Sequence, residues 1–299
     1  MANNTTKVWF ITGSSTGFGR SLTKAILKRG DRVVATARKP EQLSNLVDQY
    51  PETVKAVQLD VTKPQEVRDA VNAALNAFGR IDVLVNNAGY GVLGAIEELS
   101  DDVTRRQFET NVFGALDIMR VVLPVMRKQR YGHIVNFSSV AGFVAFMGTG
   151  IYCGTKFALE GISEALAKEV APLGIKVTII EPGAFRTDFN GRSLVTPDEL
   201  IDDYTSTCGQ FLQWIRNMDN NQPGDPDKAA LAIIQAVESD NPPLRLALGA
   251  DAVNAIDAKL KSVKEELDTW KSVTCDTAFE GVEVGAIGGS AKTLLSVAS

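Results

Sequence analysis

Two patterns of hydrophobic residues alternate along the chain. Short runs rich in Val and Ile, such as "VWFIT" at 8–12 and "HIVNFS" at 133–138, are continuously apolar, as is typical of parallel strands covered on both faces. The longer segments between them repeat their apolar residues at helical spacing. The pattern predicts strands at 8–12, 32–37, 54–60, 82–87, 133–138, 176–181 and 244–249. It predicts helices at 18–29, 41–50, 64–78, 101–130, 152–172, 227–239 and 251–271.

Regular alternation of strand and helix indicates the fold class. It favours an α/β protein with a doubly wound parallel sheet of about seven strands and helices on both faces. We expect a single domain over residues 1–272, interrupted by a long insertion at 183–226 between the sixth strand and the next helix. Residues 273–299, rich in Gly, Ala, Ser and Thr, are expected to form a C-terminal extension.

Composition narrows the class of protein. The 299 residues are 44% apolar and 22% charged, which is ordinary for a globular protein with one large core. A net charge of −5 and the lack of a basic run argue against a nucleic-acid surface. No apolar run approaches the roughly 20 residues of a membrane helix, and the first residues lack a secretory signal pattern. With three widely spaced cysteines, the chain is expected to be cytoplasmic, with no membrane partner.

The histidine count excludes several kinds of chemistry. His133 is the only histidine, and no Cys/His cluster has metal-ligand spacing, so we expect no metal site. A Ser-His-Asp hydrolase would have to use His133, which stands at the start of a buried strand. A structural role for this histidine is favoured over a catalytic one.

A glycine-rich loop follows the first strand. In "TGSSTGFG" the glycines are Gly13, Gly17 and Gly19, a G-x-x-x-G-x-G spacing that differs from the commoner G-x-G-x-x-G. Glycine lets the backbone approach a ligand closely, and the next helix presents unpaired N–H groups to an anion. The alternative is a tight strand-to-helix turn. The position after the first strand of an alternating chain favours dinucleotide binding.

The end of the second strand bears on the cofactor. In "VVATARKP" no carboxylate stands where an acidic residue would bind the adenosine ribose; Ala37 is followed by Arg38 and Lys39. Cations at this position favour a 2′-phosphate, and therefore NADP(H) over NAD(H).

Several separated motifs together resemble one family, the short-chain dehydrogenases/reductases of the single-domain branch. The resemblance covers roughly residues 7–250. The motifs, in the family's order, are "TGSSTGFG" at 12–19, "NNAG" at 86–89, Asn111 in "NVFG", "SS" at 138–139, "YCGTK" at 152–156 and "EPGAFRT" at 181–187. The resemblance implies a Rossmann-like fold, and oligomers (dimers or tetramers) formed through the helices at 101–130 and 152–172.

The resemblance also assigns roles to matching positions. It implies cofactor contacts from the glycine loop with Ser15 and Phe18, and from Asp60 and Val61 at the adenine end. It also implies contacts in the groove and at the nicotinamide, from Asn86, Asn87, Ala88, Gly89, Tyr152, Lys156, Pro182, Gly183 and Thr187. The family's catalytic serine stands thirteen residues before its tyrosine, which selects Ser139 over Ser138. Asn111 would kink a helix and hold a water in a proton relay toward Lys156.

Tyr152 and Lys156 share one helix face because they are four residues apart. A lysine inside a mostly apolar stripe is costly unless its charge is needed; the alternative is a snorkelling lysine beside a packing tyrosine. A carbonyl reduced by hydride needs a proton at its oxygen, and a phenol with an ordinary pKa near 10 is a poor base at neutral pH. We expect Lys156, together with the positive nicotinamide of the oxidised cofactor, to lower the pKa of the Tyr152 phenol.

Loops at the carboxyl ends of the strands indicate the substrate. Tyr90–Leu93, Phe143–Met147 and the insertion, with Phe189 and Trp214, carry large apolar groups. The sequence thus predicts an NADP(H)-dependent carbonyl reductase or secondary alcohol dehydrogenase for a bulky apolar ketone, aldehyde or alcohol. An NADP(H)-binding regulatory protein without turnover, an NAD-dependent alcohol dehydrogenase and an epimerase or dehydratase are the alternatives.

Overall fold

The computed structural model describes residues 6–189, 191 and 193–282. Seven strands form the main sheet: β1 Val8–Ile11, β2 Arg32–Ala37, β3 Val54–Gln58, β4 Val83–Asn86, β5 Gly132–Phe137, β6 Ile175–Pro182 and β7 Arg245–Leu248. The α-helices are α1 Gly17–Lys28, α2 Ser44–Gln49, α3 Pro64–Phe78, α4 Asp101–Phe108, α5 Gly114–Gln129, α6 Gly150–Val170, α7 Gln210–Asn217, α8 Pro226–Glu238 and α9 Ala250–Thr274.

All seven strands run parallel, in the order β3-β2-β1-β4-β5-β6-β7. Strand β1 lies between β2 and β4, with Trp9 in register with Val33 on one side and Val83 on the other. The chain winds outward in both directions from β1, which opens a crevice at the carboxyl ends of β1 and β4. The predicted Rossmann-like, doubly wound α/β fold is therefore confirmed.

Helices cover both faces of the sheet, and β1 illustrates how. All four of its residues are buried. Trp9 and Ile11 pack with helices α1 and α8 on one face, whereas Phe10 packs with α3 and α5 on the other. Because successive side chains of a strand point to opposite faces, a strand covered on both sides needs an unbroken apolar run.

The helix predicted over 101–130 is interrupted. Between α4 and α5, the stretch Glu109–Phe113 forms a π-helical turn. Gly114 follows it, and a Cβ at this position would lie 2.7 Å from Cγ2 of Val61. The helix therefore bulges where it passes closest to the segment after β3, and single bulges of this kind are frequent at functional sites.

The insertion is partly ordered by strand pairing. Leu194–Val195 pairs in parallel with Gly91–Val92, which ties the insertion to the loop after β4. Phe185 forms an isolated bridge with Gly224, close to the two ends of the insertion.

The chain divides into two compact units, Met1–Ile256 and Asp257–Ser299. Of the C-terminal extension expected at 273–299, residues 283–299 lie outside the described residues. No helix among the described residues is both long and apolar enough to cross a bilayer.

Candidate active site

A cavity of about 1080 Å³ opens at the carboxyl ends of β1 and β4, where the strand order reverses. Most residues expected at the site line it: Gly13, Ser15, Gly17, Phe18, Arg38, Asp60, Val61, Asn87, Ala88, Gly89, Ser139, Tyr152, Lys156, Pro182, Gly183 and Thr187. Gly19, Asn86 and Asn111 lie behind this wall and do not line the cavity. One groove thus contains the glycine loop and the tyrosine-lysine pair.

The glycine loop needs its glycines for two different reasons. Gly13 and Gly17 have φ angles of +69° and +54°, a region that side chains with a Cβ rarely adopt. Gly19 is needed for close packing, since a Cβ there would lie 2.3 Å from the carbonyl oxygen of Gly13. The N-cap residue of α1, Thr16, makes no side-chain capping hydrogen bond. The first N–H groups of α1 therefore remain available to an anion in the groove.

Thr12 joins β1 to the loop after β4, a role that the sequence analysis missed. Its Oγ1 accepts hydrogen bonds from the main-chain N–H groups of Asn87 and Ala88, both at 2.9 Å. The Asn87 side chain in turn donates to the carbonyl oxygens of Thr12 at 2.8 Å and Gly13 at 3.0 Å. The sequence feature that could have indicated this role is the position of Thr12 as the first residue of "TGSSTGFG". Asn86 is buried instead and donates to Asn136 Oδ1 at 2.9 Å.

Several features of the groove suit a dinucleotide. The unpaired N–H groups of α1 suit a pyrophosphate, and Arg38 lines the cavity beside Ala37, at the end of β2. The carboxylate of Asp60 accepts hydrogen bonds from the N–H and hydroxyl of Thr62, at 3.0 and 2.8 Å, so its orientation is fixed at the rim. Glycines and small residues keep the floor open to a large ligand.

Helix α6 places Tyr152 and Lys156 on its buried face, 9% and 7% exposed. The Lys156 ammonium donates to the carbonyl oxygen of Phe137 at 2.7 Å and lies 5.8 Å from the centroid of the tyrosine ring. Burial lowers the pKa of Lys156 to about 8, against the opposing effect of the Glu160 carboxylate.

The phenol does not show the lowered pKa that the sequence analysis expected. Burial raises the pKa of Tyr152 well above its ordinary value of 10.0, and hydrogen bonding from Ser139 only partly offsets this. The physical reason is burial, which removes the solvation that a charged phenolate would have in water. The ammonium of Lys156 donates to the main-chain carbonyl of Phe137.

The two adjacent serines face different surroundings, as alternate residues at a strand end do. Ser139 interacts with the Tyr152 phenol, and its Oγ accepts from the N–H of Ala141 at 3.1 Å. Ser138 is buried, and a Cβ on Gly142 would lie 2.3 Å from its Oγ and 3.1 Å from Cγ of Glu160. The geometry brings Ser139, rather than Ser138, together with the tyrosine.

Asn111 lies in the π-helical turn and is buried. Its Nδ2 donates to the carbonyl oxygen of Tyr90 at 2.9 Å and to Thr155 Oγ1 at 3.1 Å, while its Oδ1 accepts from the N–H of Tyr90 at 3.1 Å. A Cβ on Gly89 would lie 3.1 Å from Asn111 Oδ1 and 3.8 Å from Lys156 Nζ. Asn111 therefore connects the loop after β4 to helix α6 from behind the groove.

Asp251 supports the segment expected at the nicotinamide, and sequence reasoning missed it. The N–H of Ala184 donates to Asp251 Oδ2 at 2.7 Å, and a Cβ on Gly183 would lie 2.2 Å from the same oxygen. A glycine is needed at 183 because the carboxylate occupies the space of a side chain. The sequence signal for Asp251 was that it is an acidic residue in the first turn of α9.

Aromatic side chains form the outer wall of the cavity. Phe189 packs against Tyr152 with ring centroids 5.4 Å apart, and Phe211 stacks with Phe146 at 6.4 Å and contacts Trp214 at 5.6 Å. Phe143 and Met147, which were also expected there, do not line the cavity. Within the described residues, no group of three or more His, Cys, Asp or Glu is placed to bind a metal ion.

A family model described as "short chain dehydrogenase" matches residues 7–196. The chain belongs to the short-chain dehydrogenase family. It is 40% identical over 91% of its length to oxidoreductase BOA17 of Botryotinia fuckeliana, of which the match covers 100%. It is 37% identical over 86% of its length to a 3-ketodihydrosphingosine reductase of Bacteroides thetaiotaomicron, covering 92% of that protein.

Solved structures of this family share the fold. A short-chain dehydrogenase from Streptomyces avermitilis is 44% identical, with a TM-score of 0.87 over 92% of this chain and 100% of that one. ElxO with NADP bound is 28% identical, with a TM-score of 0.69 over 84% and 100% of the two chains. A 3-ketoacyl-(acyl-carrier-protein) reductase from Brucella melitensis complexed with NADH is 27% identical, with a TM-score of 0.66 over 81% and 96%. Members of this family thus bind either nicotinamide cofactor.

Proposed function

We propose that this oxidoreductase is an NADP(H)-dependent carbonyl reductase or secondary alcohol dehydrogenase for a bulky apolar ketone, aldehyde or alcohol. The observation that carries the proposal is the convergence of Tyr152, Ser139 and Lys156 on the groove that also contains the glycine loop. A nucleotide-binding loop alone would suit many functions. A buried phenol paired with a serine hydroxyl and an ammonium suits proton transfer at a carbonyl oxygen.

Each side chain has a role that its position supports. NADP(H), when bound, supplies or accepts the hydride at the substrate carbon. Tyr152 exchanges the proton at the substrate oxygen, and Ser139 donates a hydrogen bond to that oxygen. Lys156 stabilises the ionised phenol by its charge and offers N–H donors to the ribose of the cofactor. Asn111 holds the loop after β4 against α6, consistent with its proposed role in a proton relay.

The preference for NADP(H) rests on charge. Arg38 lines the cavity next to Ala37, where NAD-preferring sites of this fold present a carboxylate. A guanidinium forms strong hydrogen bonds with phosphate, and no acidic side chain opposes it at position 37. The NADP-bound relative supports this choice, whereas the NADH-bound relative marks the alternative.

The aromatic wall supports a bulky apolar substrate. Phe146, Phe189, Phe211 and Trp214 line the cavity beyond Tyr152, so a substrate carbonyl at the tyrosine would place its remaining carbon skeleton among them. The 3-ketodihydrosphingosine reductase among the relatives is consistent with an extended apolar ketone. A homodimer or homotetramer through helices α4 to α6, and a cytoplasmic location, belong to the same proposal.

The test is nicotinamide absorbance with NADPH and with NADH, across a panel of bulky ketones and aldehydes that includes long-chain 3-keto compounds. Faster consumption of NADPH with at least one bulky ketone is the expected result. Equal rates with both cofactors would overturn the NADP(H) preference alone. Tight NADPH binding with no turnover across the panel would favour the regulatory alternative, a protein that binds the cofactor without chemistry.

A further inference from the structure

Helix α9 presents a row of apolar side chains to solvent along its second half. Leu260, Val263, Leu267 and Trp270 follow one another at intervals of three, four and three residues. This spacing places them on one face, as at the a and d positions of a coiled coil. They are 54%, 37%, 60% and 60% exposed within the part of the chain that the structure describes. We call these four residues the α9 stripe.

The same spacing continues toward the start of α9. Ile256 and Val253 precede Leu260 at intervals of four and three residues, and Val253 is 52% exposed. The apolar face of the helix thus extends over nearly three heptads. Contiguous exposed apolar surface of this extent is typical of an interaction site.

The charged residues beside the stripe identify what covers it. In the heptad register set by the stripe, Asp257, Lys264 and Lys271 occupy e positions, and Lys259 and Glu266 occupy g positions. Residues at e and g set the partner and the orientation of a coiled coil. Each flank therefore carries both signs of charge, which makes the helix complementary to an inverted copy of itself.

We propose that the α9 stripe is a homodimer interface in which the α9 helices of two copies pair antiparallel. Leu260 of one copy then packs on Val263 of the partner subunit, and the reverse contact follows by two-fold symmetry. In this register Lys259 faces Glu266 of the partner subunit, and Asp257 faces Lys264 of the partner subunit. All four flanking pairs, counting both copies, are of opposite charge.

A parallel pairing lacks this complementarity. In a parallel coiled coil a g position faces the e position five residues further along the partner. Lys259 would then face Lys264 of the partner subunit, which is repulsive, and only Glu266 would face an opposite charge, at Lys271 of the partner subunit. The antiparallel arrangement is therefore the one that the sequence of α9 favours.

Ion pairs within the helix leave these charges accessible. Lys261 pairs with Asp257 at 2.7 Å, and Lys264 pairs with Asp268. The side chains of Asp257 and Lys264 remain 62% and 68% exposed, so they can also interact with a partner. Exposed pairs of this kind are weak and exchange readily.

A membrane surface fits this helix less well than a second copy does. Residues 250–274 contain five acidic and four basic side chains, with both signs beside the stripe. Helices that bind anionic bilayers concentrate Lys and Arg on their polar face. The mixed flanks of α9 instead suit a protein partner with the same mixture.

The first experiment compares the molar mass of the full chain with that of two variants over a range of concentrations, by light scattering after size exclusion. Leu267→Glu puts a carboxylate in the stripe, and Ser262→Glu puts the same group on another face of the same helix. We expect Leu267→Glu to halve the mass of the assembly and Ser262→Glu to leave it unchanged. Equal masses for all three proteins would overturn the proposal, as would wild-type binding to anionic vesicles that Leu267→Glu abolishes.

A charge exchange tests the orientation. Lys259→Glu creates like charges across the antiparallel interface but opposite charges across a parallel one. We expect this variant to weaken α9-mediated association by tenfold or more, and added Glu266→Lys to restore it. Tighter association of the single variant would overturn the antiparallel arrangement.

Cys275, just after α9 and exposed, gives a distance check. With Cys208→Ser, spin labels at Cys275 of the two copies should lie about 40 Å apart when the helices are antiparallel, from ~1.5 Å of rise per residue. A separation near ~10 Å, the spacing of two side-by-side helices, would contradict the proposal.

Discussion

The ammonium of Lys156 donates a 2.7 Å hydrogen bond to the main-chain carbonyl oxygen of Phe137. This bond joins helix α6 to the last residue of strand β5, directly before Ser138 and Ser139. It places Lys156 Nζ 5.8 Å from the centroid of the Tyr152 ring. The end of β5 therefore holds both the lysine and the serine that the proposed chemistry needs, and fixes their distance from the tyrosine.

Removal of the Tyr152 hydroxyl tests the proposed acid/base. Tyr152→Phe keeps the ring that packs on Phe189, so we expect the fold and NADPH binding to be retained. Turnover should fall by about 10²- to 10⁴-fold, the usual contribution of a general acid or base. NADPH fluorescence titration and steady-state rates measure the two effects. Tyr204→Phe, which removes a hydroxyl bonded to Glu97 outside the cavity, is the matched control and should keep full activity.

Single alanine variants can distinguish the roles of Ser138 and Ser139. Ser139→Ala removes the hydroxyl beside the Tyr152 phenol and is expected to lower kcat by about 10²-fold or more. Ser138→Ala removes a buried hydroxyl on the Glu160 side and should affect the stability of the fold more than kcat. Rates and thermal unfolding are compared for both variants. A larger loss of kcat in Ser138→Ala would reassign the catalytic serine.

A carboxylate at position 37 should change the cofactor preference. Ala37→Asp would set a negative charge against a 2′-phosphate and offer an acceptor to a ribose hydroxyl. We expect the ratio of kcat/KM for NADPH to that for NADH to fall by about tenfold or more, about 1.4 kcal/mol of differential binding. Gln42→Glu, at an exposed position outside the cavity wall, adds the same single negative charge and serves as the control. An unchanged ratio in Ala37→Asp would mean that the phosphate is bound elsewhere.

His133 should remain neutral at ordinary pH. It is buried beside Thr178 Oγ1 at 2.9 Å, and burial lowers its pKa from 6.5 to about 4. The folded protein disfavours the charged imidazole. The contribution of neutral His133 to the free energy of unfolding is therefore complete above pH 6.5. It decreases as the pH falls toward 4, by up to about 3 kcal/mol. As the chain has one histidine, a single imidazole resonance reports this directly by NMR, and titration near pH 6.5 would contradict the prediction.

Arg245 holds three carboxylates of helix α6 and strand β6 together. It contacts Glu160 at 3.0 Å, Glu164 at 2.8 Å and Glu181 at 3.5 Å. Burial and the Glu160 charge raise the pKa of Glu181 to about 7. The stabilising contribution of Glu181 is therefore present below pH 4.5 and lost as the pH rises through 7.

Removal of the Arg245 guanidinium should leave buried charge unpaired. We expect Arg245→Met to lower the free energy of unfolding by about 3 kcal/mol at pH 8, and by less at pH 5, where more of the carboxyl groups are protonated. Urea unfolding at the two pH values measures this difference. Arg105→Met, which removes an exposed ion pair with Asp101, is expected to change stability by less than about 0.5 kcal/mol. A loss independent of pH would contradict the assignment.

The order and type of the main secondary-structure elements could be predicted from the sequence alone. The central strands of the main sheet were recognisable because a strand buried on both faces must be apolar throughout, as in β1. The helix predicted at 64–78 matches α3, with Pro64 at its start and Gly79 in the left-handed conformation at its end. The glycine loop was recognisable for a similar reason, since left-handed φ angles at Gly13 and Gly17 restrict the residue type locally. These signals are local, so they can be read along the chain.

Which side chains meet at the site could not be predicted from the sequence, because it depends on the packing of distant segments. That Ser139 faces Tyr152 depends on the pleat at the end of β5, and the contact of Lys156 with Phe137 depends on how α6 packs on that strand. The contact between Asp251 and Ala184 joins residues 67 positions apart. No periodic pattern encodes such contacts, because they arise from the register of strands and the close approach of distant segments. The raised pKa of Tyr152 arises at this level too, since it follows from the burial of the phenol.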